Sequence, residues 1–152
     1  MGNEQNHNRH GFMSTMLIAI ITSSAIVASC QGKLEMKVVE QWEDGTTKTA
    51  QYYRYHDEVR IQVSERHYYP DGQIRMEGGL MGGKRHGKWK SYFENGEMWS
   101  RGVYENGLKE GPWIVYYPDG NEHYKGTYHK GEKVGRWQFW SRDGSAVLEE
   151  TY

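Results

Sequence analysis

The chain has 152 residues, among them 19 glycines, 21 aromatics (12 Tyr, 6 Trp, 3 Phe) and one cysteine. Its hydrophobic fraction of 36% lies below the ~45–50% of ordinary soluble domains and excludes a large aliphatic α/β core. The single cysteine excludes an internal disulfide framework and a Cys-cluster zinc site. With 19 Lys+Arg against 20 Asp+Glu there is no general basic footprint, and no nucleic-acid partner is expected. The composition fits an all-β chain of short strands and tight turns in which aromatics supply the burial.

The first predicted element is a secretory signal over residues 1–29. Met13 to Val27 is the only strongly apolar stretch, it follows a polar start containing Arg9, and Ala28-Ser29-Cys30 succeeds it. Val27-Ala28-Ser29-Cys30 resembles a bacterial lipobox. That resemblance implies cleavage before Cys30 and lipid attachment at its sulfur, hence a partner membrane and a place in the cell envelope. Gln31 rather than Asp at the next position implies the outer membrane over the inner one. Two other readings stay open: a small buried cysteine, and retention of the apolar stretch as an anchor. The latter is short of the ~20 apolar residues of a span and carries Ser14, Thr15, Thr22, Ser23 and Ser24. Residues 30–33 are then a short linker.

Residues 34–67 read as strands over Glu35–Trp42, Thr46–Tyr55 and Val59–His67, with a turn at Asp44-Gly45. Val59, Ile61 and Val63 alternate with polar residues, the pattern of a half-buried strand. The segment does not fit the register that follows and reads as a degenerate N-terminal cap.

From residue 68 the chain repeats every 24 residues. Trp89, Trp113 and Trp137 are in register, as are Tyr68, Tyr92, Tyr116 and Trp140. Gly72, Gly96, Gly120 and Gly144 each follow Asp or Asn, and Gly78/Gly102/Gly126, Gly83/Gly107/Gly131 and Gly87/Gly111/Gly135 form further columns. Leu80, Tyr104, Tyr128 and Tyr152 complete the set. The units are 68–91, 92–115, 116–139 and a partial 140–152. Each reads as a strand starting near the Trp, an Asx-Gly hairpin turn, a second strand, and a Gly-x-x-x-Gly loop to the next Trp. One hairpin is marginal in water, so the units must stack.

The run Gly102-x-Tyr104-x-x-Gly107-x-x-x-Gly111-x-Trp113-x-x-Tyr116-x-x-Asp119-Gly120 resembles a MORN repeat, most closely the bacterial variant of YwqK-type antitoxin proteins. The resemblance covers about residues 68–152. It implies an elongated antiparallel sheet of stacked hairpins that serves as an interaction platform. The antitoxin label implies binding and neutralising a toxin.

No catalytic site is legible. There is no GxSxG or HExxH, adjacent carboxylates such as Glu149-Glu150 point to opposite faces of a strand, and the histidines do not repeat and read as scattered surface residues. No enzyme, metal or cofactor is expected. Two features point to binding. Arg85, Lys109 and Lys133 form a basic column in the loop before each Trp, suited to an anionic partner or lipid surface, or else simply solvated. Trp89, Trp113 and Trp137 stand three residues before Tyr92, Tyr116 and Trp140, an odd spacing that sends the two columns to opposite faces of a single-layer sheet. One aromatic face is then a recognition surface, or else the twist packs both columns between glycines. The expected function is a membrane-anchored, non-enzymatic platform for another protein, a toxin being the partner the label implies. The alternative is a glycan- or wall-binding module, since choline-binding wall repeats also combine Gly, Trp, Tyr and hairpins.

Overall fold

The computed structural model describes residues 33–152. The signal segment, Cys30 and most of the linker lie outside the described residues. Ten strands follow one another: β1 (Glu35–Gln41), β2 (Thr47–His56), β3 (Val59–Tyr68), β4 (Ile74–Met81), β5 (Lys84–Tyr92), β6 (Met98–Glu105), β7 (Leu108–Tyr116), β8 (Glu122–His129), β9 (Glu132–Trp140) and β10 (Ala146–Thr151). They form one open sheet in sequence order, each strand antiparallel to the next. The chain is therefore a continuous meander of hairpins, as the all-β, stacked-hairpin reading expects.

The hairpin turns alternate between two kinds, one along each rim. On the first rim the turns are two residues long, with positive φ at both positions: Asp57-Glu58 (48°, 66°), Gly82-Gly83 (58°, 74°), Asn106-Gly107 (51°, 89°) and Lys130-Gly131 (49°, 90°). This is the type I′ geometry that matches strand twist. On the second rim each turn is longer. Gly96 N–H donates to Phe93 O at 3.0 Å and Phe93 N–H donates to Glu97 O at 2.8 Å, and the same pair recurs at Trp42, Tyr69, Tyr117 and Ser141. The Asx carboxylate or amide closes these turns, as where Asp71 Oδ1 accepts from Gln73 N at 2.9 Å.

Three points correct or refine the sequence reading. The Gly-x-x-x-Gly segments are not loops: the first glycine completes a tight turn, and the second (Gly87, Gly111, Gly135) lies within a strand. Those second glycines have φ between 62° and 74°, and the strands consequently start at Lys84, Leu108 and Glu132, five residues before each Trp. Gly111 also lets Pro112 sit in an interior strand, because the β6–β7 register breaks there. Second, residues 34–67, read as a degenerate cap, lie off the 24-residue register but carry the same backbone turn as the repeats. Gly45 and Gly72 are separated by 27 residues instead of 24, because β2 and β3 are longer than β4 and β5. Third, Val59 and Ile61 are not half-buried but 60% and 46% exposed. β4 pairs with β3 only from Ser64 onward, so the β2–β3 tip extends past its neighbour.

Hydrogen bonds between successive units lace the second rim. Tyr69 Oη donates to Tyr92 O at 2.8 Å and Tyr117 Oη donates to Trp140 O at 3.0 Å. Phe93 stands at the equivalent place in the unit between and has no hydroxyl. Phe93→Tyr should therefore supply the missing bond to Tyr116 O and stabilise the sheet by ~1 kcal/mol, read as a raised thermal unfolding midpoint.

Candidate functional site

The sheet has two chemically different faces. On the first, each Trp lies over a glycine of the preceding strand. A Cβ built on Gly78, Gly102 or Gly126 would come within 2.2, 2.0 or 2.2 Å of the ring of Trp89, Trp113 or Trp137. Only a bare backbone permits that approach. The three indoles are 2%, 7% and 0% exposed. Trp89 Nε1 also donates to Gly79 O at 3.0 Å.

The tyrosines that complete each unit stand edge-on between successive indoles. Tyr104 meets Trp89 at 5.8 Å and Trp113 at 5.5 Å, Tyr128 meets Trp113 at 5.9 Å and Trp137 at 5.0 Å, and Tyr152 meets Trp137 at 6.1 Å. All five are T-shaped, the favourable arrangement for ring quadrupoles. The result is an unbroken aromatic spine running across β5 to β10.

The predicted basic column roofs this spine. The Arg85 guanidinium lies 4.3 Å from the Trp89 ring, Lys109 Nζ 4.3 Å from Trp113, and Lys133 Nζ 4.6 Å from Trp137. Each cation also donates to the next tyrosine hydroxyl, Arg85 to Tyr104 at 3.5 Å, Lys109 to Tyr128 at 3.5 Å and Lys133 to Tyr152 at 3.2 Å. The bond to Tyr152 pushes the Lys133 pKa up, while burial pushes the Tyr128 phenol up. These residues are in β5, β7 and β9, not in loops as the sequence suggested, and their charges are already engaged by aromatic faces.

Tyr92, Tyr116 and Trp140 lie on the opposite face, as the odd spacing requires. All three are half-buried. Each meets the side chain at one repeat position of the strand before. Tyr92 Oη donates to Glu77 Oε1 at 3.4 Å, the Arg101 guanidinium lies 5.9 Å from the Tyr116 ring, and Lys125 Nζ lies 4.8 Å from Trp140. The nine predicted binding residues are thus not one site. Six build the spine and its roof, and three belong to the second face. The tenth, Cys30, lies outside the described residues.

Sequence reasoning missed two groups. His67 is not a scattered surface histidine: its Nδ1 is 3.2 Å from Thr49 Oγ1 and its Nε2 is 3.1 Å from Glu65, and that contact lowers the Glu65 pKa. Strand alternation puts Glu65 and His67 on one face of β3, but no spacing brings Thr49 to them, because β2 and β3 depart from the repeat. The other group is Lys88, Lys90 and Arg101 on the second face; here strand alternation around Trp89 was an available signal. Among the described residues, no group of three or more His, Cys, Asp or Glu side chains is placed to hold a metal ion.

A single sheet of hairpins held by a repeated Trp-on-Gly spine defines a hairpin-repeat protein. A family model described as the MORN repeat variant matches residues 63–78, 85–106 and 109–130, so these three segments are similar to MORN repeats of the variant type. The unit 116–139 runs on past the last matched segment and keeps the same geometry, with Trp137 on Gly126 and Lys133 roofing it. No curated protein matches the chain significantly.

The Trp-on-Gly contact is open to a direct test. Gly102→Ala should push the Trp113 indole off the sheet and destabilise the protein by about 3 kcal/mol, at the upper end of overpacking penalties. A lowered denaturation midpoint with a red-shifted tryptophan emission is the expected record.

Proposed function

We propose that the chain is a non-enzymatic lipoprotein, anchored through Cys30 to a membrane of the cell envelope, whose sheet docks another protein. The outer membrane is the favoured site. In the antitoxin or immunity-like form of this reading, the bound protein is a toxin and binding itself neutralises it. One observation carries the platform reading. Among the described residues, the spine covers one face of the sheet from β5 onward, and the other face and the two edge strands, β1 and β10, have no neighbour. Surfaces of this kind, half-buried aromatics beside exposed cations, are what recognition patches are made of. MORN repeats over three segments support the same reading.

The glycan-binding alternative needs aromatic rings free to stack on sugars. Trp113 at 7% exposed lies beneath Lys109, so such a role would fall to Tyr92, Tyr116 and Trp140.

The test has two arms. Cys30→Ser should abolish metabolic palmitate labelling and leave the protein at precursor mass; unchanged membrane retention without labelling would identify a retained apolar anchor instead. The full-length wild type, extracted in detergent and immobilised, should retain a protein from envelope extracts that rebinds in purified form. Retention of peptidoglycan alone, lost on Trp140→Ala without unfolding, would overturn the platform reading in favour of the glycan one.

A further inference from the structure

The second face concentrates positive charge at one place. Lys88 and Lys90 alternate with Trp89 along β5 and so stand opposite the spine. In the β5–β6 register Lys90 is directly across from Arg101, and Lys88 is across from Val103. Directly opposed side chains have Cβ atoms about 4.5–5.5 Å apart, a distance at which like charges destabilise a sheet. Lys88, Lys90 and Arg101 are all exposed. Among the described residues none of the three is in an ion pair, nor is Arg75 on β4, whereas three other cations of the sheet are neutralised. Arg66 pairs with Glu77 at 2.9 Å, Lys125 with Glu122 at 3.1 Å and Arg136 with Glu149 at 2.7 Å. Glu77 is across from Lys90 in the β4–β5 register, but its carboxylate accepts from Arg66 and Tyr92 instead.

These three cations line a depression of about 430 Å³ whose other side chains include Val103, Pro112 and Ile114. A bare phosphate would gain nothing from that apolar floor. A ligand with an apolar group between separated negative charges would use all of it. Lys88 and Lys90 are two residues apart on one strand face, about 7 Å, which matches carboxylates spread along an extended peptide better than one compact anion. Arg101, steadied over Tyr116, offers the planar fork that suits a carboxylate.

We propose that this depression is the docking site for an acidic, amphipathic protein segment, with an apolar side chain seated on Val103, Pro112 and Ile114 and carboxylates at Lys88, Lys90 and Arg101. The inference rests on the platform reading and gives it a location and a partner chemistry. It accounts for the retention of like charges across a strand pair, which costs stability unless a ligand of opposite charge meets them.

The experiment uses the full-length protein in detergent and a fluorescein-labelled peptide of one leucine flanked by glutamates. Its controls are the same peptide with glutamines, an all-glutamate peptide, inorganic phosphate, and phosphatidylglycerol vesicles. The leucine–glutamate peptide should bind and its glutamine counterpart should not. Lys90→Gln with Arg101→Gln should weaken binding by about tenfold, the scale of losing charge-assisted contacts, yet melt no lower than wild type because a repulsive pair is gone. Lys84→Gln, at the first rim, should leave the affinity unchanged. Val103→Ser should weaken the leucine–glutamate peptide more than the all-glutamate one. Equal binding of the glutamate and glutamine peptides, the same loss in Lys84→Gln, or binding confined to phosphate or to vesicles would overturn the proposal. If the peptide fails while a protein is still retained from envelope extracts, the site is wrong and the platform stands. If the peptide behaves as described and no protein is retained, the site stands and the platform reading falls.

Discussion

A sheet with no second layer has nowhere to hide its large side chains, because burial in most β proteins comes from packing one sheet on another layer. Here an indole laid flat on the bare backbone of the neighbouring strand solves that problem within the plane. Trp137 is 0% exposed although the described residues form a single sheet. The glycine beneath removes what would prop the ring up, the flanking tyrosines close its edges, and the cation closes the top. Each edge-to-face pair contributes on the order of 1 kcal/mol beyond its buried area. Since Tyr104 touches both Trp89 and Trp113, no unit is complete without the next. Stability is then a chain of nearest-neighbour couplings, as in other repeat architectures.

This arrangement explains which parts of the molecule were legible in its residues. The columns of Trp, Tyr and Gly repeat, and repetition is visible without coordinates. The odd step from Trp89 to Tyr92 correctly separates two faces, because strand geometry alone dictates it. The turns were harder to read. Gly107 and Gly131 read as the first residues of Gly-x-x-x-Gly loops and not as the second of two-residue turns, and Lys130 is not a residue whose side chain advertises a positive φ. Once those turns shrink to two residues, Arg85, Lys109 and Lys133 move from loops into strands, and their role changes from surface charge to roof. Val59 and Ile61 alternate as a half-buried strand should, but alternation says nothing about whether a neighbour reaches that far.

The two faces divide the protein's positive charge between different tasks. On the spine face, cations lie over π-systems and spend their field there. On the other face some are matched by carboxylates, and others are not. A net charge of −1 conceals this, since it averages over both faces and over the pairs that cancel. What distinguishes Lys88, Lys90 and Arg101 is that three uncompensated cations meet around one apolar depression.

The two rims differ in how much freedom they leave the chain. Along the second rim the turns are tied to one another: Asn95 Nδ2 donates to Pro118 O at 3.2 Å and Asn121 Nδ2 donates to Arg142 O at 3.0 Å, beside the tyrosine bonds described above. A longer turn there would pull its neighbours apart. Along the first rim the β2–β3 hairpin already runs on past β4 without disturbing the strand order. Two other first-rim turns are tied, Gly107 N–H donating to Arg85 O and Gly131 N–H to Lys109 O at 2.9 Å, so the β2–β3 tip is the place at which the molecule tolerates new sequence. A segment inserted at Asp57-Glu58 would be displayed clear of the sheet, and the scaffold beneath would not have to be rebuilt to carry it.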